Sequence, residues 1–176
     1  PAPSVDTGMG LERIAAVMQG VHSNYDIDIF QELLKNIENK LELSSDKISQ
    51  ESTQHSMKAI ADHIRSCCFL ILDGIEPSNE GRGYVLRRIM RRALRHAYHL
   101  GHNLNDHGLF FCNLIYPLAD IMGGAYPGLI ESKDQIHSIL AKEEKQFAQT
   151  LAHGMKHLGI ELNKLNKSDS KHKQKL

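Results

Sequence analysis

Arginines are concentrated in one segment of this chain. Between Gly81 and Asn105 the sequence contains six arginines and no acidic residue. They are Arg82, Arg87, Arg88, Arg91, Arg92 and Arg95. At about 100° per residue, a helix over this segment gathers its apolar residues on one side and spreads most of the arginines over the opposite arc. Because a guanidinium donates hydrogen bonds in a planar fork that matches phosphate, the pattern predicts a surface that binds anions.

Two interpretations of this arginine face are open from the residues alone. The arginines could contact the phosphates of a nucleic acid. They could instead form ion pairs with acids on neighbouring helices, such as Glu32, Glu143 or Glu144. Asn79, in the turn before the arginines, could donate to and accept from a base edge. An asparagine before a glycine-rich turn is also common for backbone reasons alone.

A second group of residues suited to anions lies near the start of the sequence. Gly8 and Gly10 follow Asp6 and allow the backbone to approach a ligand closely where a helix begins. Free N–H groups and the helix dipole favour an anion at such a point. Arg13 follows one turn later and could contact the same anion. The Gly-x-Gly spacing by itself also fits an ordinary helix start.

The histidines form weaker patterns. His96, His99 and His102 repeat every three residues but lack a paired acid or thiolate motif. His153 and His157 are four residues apart without the intervening glutamate of a hydrolytic zinc site. We therefore predict no metal site in this chain.

The composition excludes several classes of protein. No stretch approaches the roughly 18 apolar residues of a membrane span, and the start of the sequence lacks the features of a secretory signal. The three cysteines are Cys67, Cys68 and Cys112, an odd number without C-x-x-C spacing, which argues against a disulfide scaffold. The 21 basic and 21 acidic residues balance, so affinity for polyanions must come from the arginine segment. We expect a globular protein of the cytoplasm.

The elements that must position these residues are predicted to be helices. Apolar residues recur at helical spacing through most of the chain, and no segment has the alternation of a strand. The predicted helices cover about residues 7–19, 24–41, 52–73, 84–100, 107–122 and 132–162. Pro117 should kink or split the fifth helix near Tyr116. The second helix should end in the polar run Ser44–Lys47, with a loop of several residues after it, and we predict another loop in the segment 123–128. The predicted fold is all-α, a bundle of about six helices.

Four segments of the sequence resemble the class II aminoacyl-tRNA synthetases, in the form found in bacterial alanyl-tRNA synthetases. DTGMGLERIA at 6–15 resembles the third motif of that class. SNYDID at 23–28, ADHIRS at 61–66 and PSNEGRGYVLRR at 77–88 strengthen the match. The similarity extends from the first residue to about Leu162.

The resemblance implies an internal part of a larger enzyme that activates alanine with ATP and Mg²⁺ and transfers it to its tRNA. By this similarity Asp6 would hold the amino group of alanine, Gly8 and Gly10 would line the adenylate pocket, and Arg13 would contact the ATP phosphates. The zinc of the family's editing domain would lie outside this chain. Because the other two class motifs are absent from the sequence, we expect this chain alone to be inactive.

The resemblance also divides the chain and assigns its partner. Residues 1–22 would end the catalytic domain, 23–163 would form a helical tRNA-recognition domain, and 164–176 would be a disordered tail. The partner would be the acceptor stem of the alanine tRNA, whose G·U wobble pair the family recognises. Asn79 matches the position that contacts this pair, and Arg91 matches a basic position near the stem. Arg82, Arg87, Arg88, Arg92 and Arg95 would contact phosphates or pack within the protein.

Two other functions fit the same residues. A non-catalytic helical RNA-binding or scaffold protein could retain the basic helix without the chemistry. A purely structural bundle could pair its arginines with acids, which predicts little RNA affinity and a weak dependence on salt. No feature of the sequence suggests a DNA or membrane partner.

Overall fold

The computed structural model describes residues 8–103 and 107–173, with side chains described up to 164. Within these ranges the chain forms eight α-helices and no strand, which confirms the all-α prediction. The helices are α1 (Leu11–Gln19), α2 (Asp28–Lys40), α3 (Ser45–Ile48), α4 (Glu51–Leu72), α5 (Gly81–His99), α6 (Ile115–Met122), α7 (Pro127–Glu131) and α8 (Lys133–Lys173). Short 3-10 turns occur at Asn24–Asp26 and Cys112–Leu114.

The core of the bundle lies between α4 and α5, which share the most extensive contact between any two elements. Ile60 and Ile64 from α4 and Leu86 and Met90 from α5 are fully buried. Burial of each such side chain contributes about 1.5–3 kcal/mol to the stability of the fold. The packing of α4 against α5 therefore holds the arginines of α5 in place. α2, α6 and the first part of α8 close around it.

Two short helices, α3 and α7, were not predicted as separate elements. α3 (Ser45–Ile48) covers most of the polar run that we expected to end the second helix and reaches into the predicted loop. α7 begins with Pro127 at its first position, where the missing N–H is not needed and the fixed φ suits a helix. The predicted fifth helix is shorter than expected, because residues 108–111 are not helical, and Pro117 does not split it. The chain forms a 3-10 turn up to Leu114 and α6 begins at Ile115, so the proline lies in the first turn of α6, where it costs no hydrogen bond.

The first and last helices of the chain, α1 and α8, differ from their predicted bounds. α1 begins at Leu11, and residues up to Thr7 lie outside the described residues. α8 continues to Lys173, beyond the predicted end at Leu162 and into the segment after 164 where we predicted disorder. Lys164 donates to Glu161 at 2.7 Å, an i, i+3 pair that favours helix in this polar stretch. The division of the chain at residue 22 stays a prediction.

Both α1 and the second half of α8 leave apolar side chains in solvent. Met9, Val17 and Met18 are 61%, 78% and 82% exposed. Leu158 and Leu162 are exposed on the far part of α8. None of the described helices is long and apolar enough to cross a membrane.

Candidate nucleic-acid interface

α5 presents its arginines on two different sides. Leu86, Met90 and Ala97 mark the buried side of the helix. Arg88, Arg92 and Arg95 are exposed on the opposite side at positions i, i+4 and i+7. We call these three residues the outer arginines. The guanidinium of Arg88 lies 5.7 Å from the ring centre of Tyr84, and no carboxylate in the described part of the chain forms an ion pair with any of the three.

Arg87 and Arg91 lie between the exposed and buried sides and form ion pairs with one acid of α8. Arg87 Nε donates to Glu143 Oε2 at 3.2 Å. Arg91 Nε and Nη2 lie 2.9 and 2.8 Å from Glu143 Oε1. The Glu143 side chain is only 4% exposed, so these contacts are largely removed from water. We call Arg87 and Arg91 the inner arginines; the ion-pair interpretation is confirmed for these two.

The neighbouring acid serves a different purpose. Glu144 is buried and accepts three backbone N–H groups, from Phe110 at 2.8 Å, Phe111 at 3.1 Å and Cys112 at 3.0 Å. It therefore fixes the segment that leads into α6. Glu32 is exposed on α2 and pairs with no arginine of α5. Of the three acids considered from the sequence, only Glu143 binds the arginine helix.

The turn that carries Asn79 is held tightly against the start of α5. A side chain at Gly83 would meet the carbonyl oxygen of Glu76 at 2.3 Å and Ser78 Oγ at 2.4 Å, so only glycine allows this approach. Ser78 Oγ donates to the carbonyl of Glu80 at 2.8 Å. Asn79 is exposed, and its Oδ1 accepts from Nη1 of Arg87. The structure thus brings Asn79 and the inner arginines together around Glu143.

The remaining arginine of the segment, Arg82, is exposed in the first turn of α5.

Asp62 of α4 lies close enough to Arg92 for their charges to interact. The pKa of Asp62 is lowered first by the hydrogen bond from His63 and further by the charges of Arg65 and Arg92, although partial burial raises it. His63 Nδ1 lies 2.9 Å from Asp62 Oδ2. Asp62 therefore makes the surface next to the outer arginines less positive than the sequence of α5 alone suggests.

The second predicted site lies on α1. Asp6 is outside the described residues, while Gly8, Gly10 and Arg13 are all exposed. Gly10 is the N-cap of α1 and supplies no side-chain hydrogen bond, so nothing from the cap residue covers this helix start. The Glu12 carboxylate occupies this helix start, where it accepts from its own backbone N–H and lies 3.3 Å from the position of a Cβ at Gly10. Arg13, exposed in the first turn, is therefore the group here that could contact an anion.

An ion pair that the sequence did not reveal joins α1 to the bundle. Nη2 of Arg65 donates to Oε1 of Glu12, next to Arg13 in the chain, and the Arg65 guanidinium lies 5.0 Å from the ring centre of Phe30. Burial raises the pKa of Glu12, but its backbone hydrogen bond and Arg65 outweigh this and lower it. Glu12 and Arg65 lie in two of the segments that resemble the class II synthetases, and this resemblance was the one sequence signal that marked them as important.

The cysteines and histidines do not form a reactive site. All three cysteines are buried and free, and burial raises the pKa of Cys112 to about 12, with Glu144 adding to the shift. Burial likewise raises the pKa of Cys67 and Cys68. Among the side chains described, those of residues 8–103 and 107–164, no three of His, Cys, Asp or Glu are grouped so that they could hold a metal ion.

Comparison with known proteins points to one family. The family model described as tRNA synthetases class II (A) matches residues 1–176. An alanine–tRNA ligase of Legionella pneumophila (strain Corby) is 60% identical over 156 residues, which are 89% of this chain and 17% of that protein. Alanine–tRNA ligases of Methylococcus capsulatus and Neisseria gonorrhoeae are 53% and 59% identical over 94% and 88% of this chain.

This chain spans 17–18% of the length of these relatives. The family model nevertheless covers every residue, including the turn with Asn79 and the arginine helix. The resemblance inferred from four short segments is confirmed over the whole chain. The chain belongs to the class II (A) tRNA synthetases.

Proposed function

We propose that this chain is the part of an alanine–tRNA ligase that binds the acceptor stem of the alanine tRNA. The observation that carries the proposal is the exposed row formed by Arg88, Arg92 and Arg95 on a helix whose opposite side is buried in the core. Three guanidinium groups spaced over about 10 Å of helix suit the phosphates that line an RNA groove. The named relatives, all alanine–tRNA ligases, agree with this partner.

Asn79 adds the means to tell one base pair from another. Double-stranded RNA exposes base edges and 2′-hydroxyls in its wide, shallow minor groove, where a short side chain can reach them. Phosphate contacts position the protein but carry no sequence information, whereas a hydrogen bond to a base edge does. The exposed Asn79, in the turn that leads into α5, would therefore contact the G·U pair while the outer arginines of that helix bind the backbone. Arg82 lies near the same turn and would contribute positive charge.

The first residues of the chain would belong to the part that activates alanine. ATP with Mg²⁺ would supply the adenylyl group for that step in the whole enzyme, with pyrophosphate as the leaving group. The exposed Arg13 in the first turn of α1 fits a phosphate, because a guanidinium favours anions. Asp6, Gly8 and Gly10 would complete the alanine and adenylate pocket. As an enzyme of translation, the whole protein would act in the cytoplasm.

The proposal is tested by measuring how tightly the chain binds an acceptor-stem hairpin containing the G·U pair, over a series of salt concentrations. A second hairpin carries G·C in place of G·U. We expect tighter binding of the G·U hairpin, a marked loss of affinity with salt, and a smaller preference for G·U in Asn79→Ala.

Arg91→Ala separates this proposal from a purely structural role for the helix. Because Nε and Nη2 of Arg91 are directed at Glu143, we expect this variant to lower the salt dependence less than removal of an outer arginine does. Failure of the chain to bind either hairpin would contradict the proposal and favour the structural bundle. Equal binding of both hairpins would favour a helical RNA-binding module without pair recognition.

A further inference from the structure

Glu143 stands at the centre of a chain of contacts that ends at Asn79. Its carboxylate, 4% exposed, accepts from Nε of Arg87 at 3.2 Å. The other end of the same guanidinium reaches the turn before α5, where Nη1 donates to Asn79 Oδ1 and Nη2 donates to the carbonyl of Pro77 at 3.4 Å. One arginine therefore links a buried acid of α8 to the exposed turn.

These contacts determine which way the Asn79 amide faces. The guanidinium only donates hydrogen bonds, so it must be met by the oxygen of the amide and not by its NH₂ group. No acceptor in the described part of the chain is bonded to Nδ2. The NH₂ group is consequently left as a free donor on the exposed side of the turn.

Glu143 is what keeps Arg87 in this position. The Arg87 side chain is 18% exposed and long enough to leave the turn for water or for an RNA phosphate. A buried carboxylate bonded to its Nε removes that freedom, because leaving would strand a charge in a poorly hydrated site. Arg91 fixes the carboxylate from the other side, through Oε1. The buried end of the network is therefore fixed by Glu143, and Asn79 is the member that can contact a ligand.

We propose that Glu143 is a positioning residue for RNA recognition, which acts through Arg87 to present the Asn79 NH₂ group as a hydrogen-bond donor. This inference rests on the proposed function. A donor in the minor groove can bond to O2 of the pyrimidine, and this oxygen lies at a different position in a wobble G·U pair than in a G·C pair. The orientation of the amide therefore contributes to the choice of base pair. Glu143 itself touches no RNA.

Glu143→Gln tests the inference, because it keeps the shape of the side chain and removes the charge that holds Arg87. The readout is the ratio of the affinities for the G·U and G·C hairpins, which a loss of stability alone does not change. We expect the ratio to fall by about fivefold, close to its value in Asn79→Ala. The double variant should show no further fall.

Glu144→Gln is the matched control. It changes a carboxylate that is equally buried and adjacent in the chain, but whose partners are the backbone of Phe110, Phe111 and Cys112. We expect it to lower the melting temperature and leave the ratio unchanged. If Glu143→Gln also leaves the ratio unchanged while Asn79→Ala lowers it, the inference is overturned and the proposed function stands.

A second measurement does not need RNA. The side-chain amide resonances of Asn79, assigned by their absence in Asn79→Ala, should move toward the values of a free asparagine in Glu143→Gln and stay in place in Glu144→Gln. Unchanged resonances in Glu143→Gln would overturn the inference. The resonance measurement tests the inference even if neither hairpin binds. Failure of both hairpins to bind would contradict the proposed function instead.

Discussion

The inner and outer arginines of α5 are the same kind of residue one position apart, yet their surroundings are opposite. Arg91 lies against a buried carboxylate, with its guanidinium 5.7 Å from the ring centre of Phe147. Arg92, the next residue, is exposed and forms no ion pair among the described residues. A step of about 100° around the helix separates a charge used inside the protein from one available to a ligand.

This difference teaches that the number of arginines overstates the number of phosphate contacts. The positive charge of the inner arginines is partly neutralised by Glu143, and their donors are already occupied. The outer arginines retain their full hydrogen-bonding capacity. The electrostatic affinity of this helix should therefore depend on Arg88, Arg92 and Arg95 together with Arg82, and the inner pair should contribute mainly to structure.

The largest expected effect comes from removing the outer arginines together. If each contacts one phosphate, the triple variant Arg88→Ala, Arg92→Ala, Arg95→Ala should lower the salt slope of hairpin binding by about 2–3 units. Its thermal stability should change little, because exposed side chains without ion pairs contribute little to folding. Binding titrations at four or five salt concentrations measure the slope. An unchanged slope would show that the outer arginines are not the phosphate contacts.

A smaller effect compares two neighbouring single variants. Arg91→Ala should lower the free energy of unfolding by about 1.5–3 kcal/mol, because a charged hydrogen bond to a buried carboxylate is lost. Arg92→Ala should stay within about 0.5 kcal/mol of the unmodified chain. Urea unfolding followed by circular dichroism measures both values. Equal destabilisation by the two variants would show that the inner and outer arginines do not differ in their contribution to stability, contrary to this prediction.

The smallest effect concerns His96, which lies on α5 beside the outer arginines and 3.2 Å from Ser56 Oγ. Burial lowers its pKa, and the nearby charges of His55, Arg92, Arg95 and His63 lower it further. The unfolded chain then takes up the proton first, so the stability contributed by neutral His96 is complete above about pH 6.5 and declines as the pH falls below that value.

The measurement is the unfolding free energy at pH 7.5 and at pH 5.5, with His96→Gln as the comparison. The loss between the two pH values should be smaller in His96→Gln. His102, whose pKa burial also lowers, should preserve part of the dependence. Removing the outer arginines should weaken the dependence as well, because two of them disfavour the protonated ring. An identical loss in the unmodified chain and in His96→Gln would refute this assignment.

Much of the fold follows from local sequence patterns. Apolar spacing placed the helices that became α2, α4 and α5 close to their observed bounds, because each buries one continuous side in the core. Shorter elements were missed. α3 lies in a polar run and α7 begins with a proline, and neither is long enough to show a helical period.

The candidate site divides in the same way. The sequence by itself determined that this chain is helical, that five of the six arginines share one helix, and that Asn79 precedes them in a turn. Only the tertiary structure decided that Glu143, 56 residues from Arg87, faces the inner arginines while its neighbour Glu144 faces the backbone of another segment. The physical reason is that the phase of α8 against α5 is set by close packing of the core, and no local pattern encodes which of two adjacent acids that packing turns toward a distant helix.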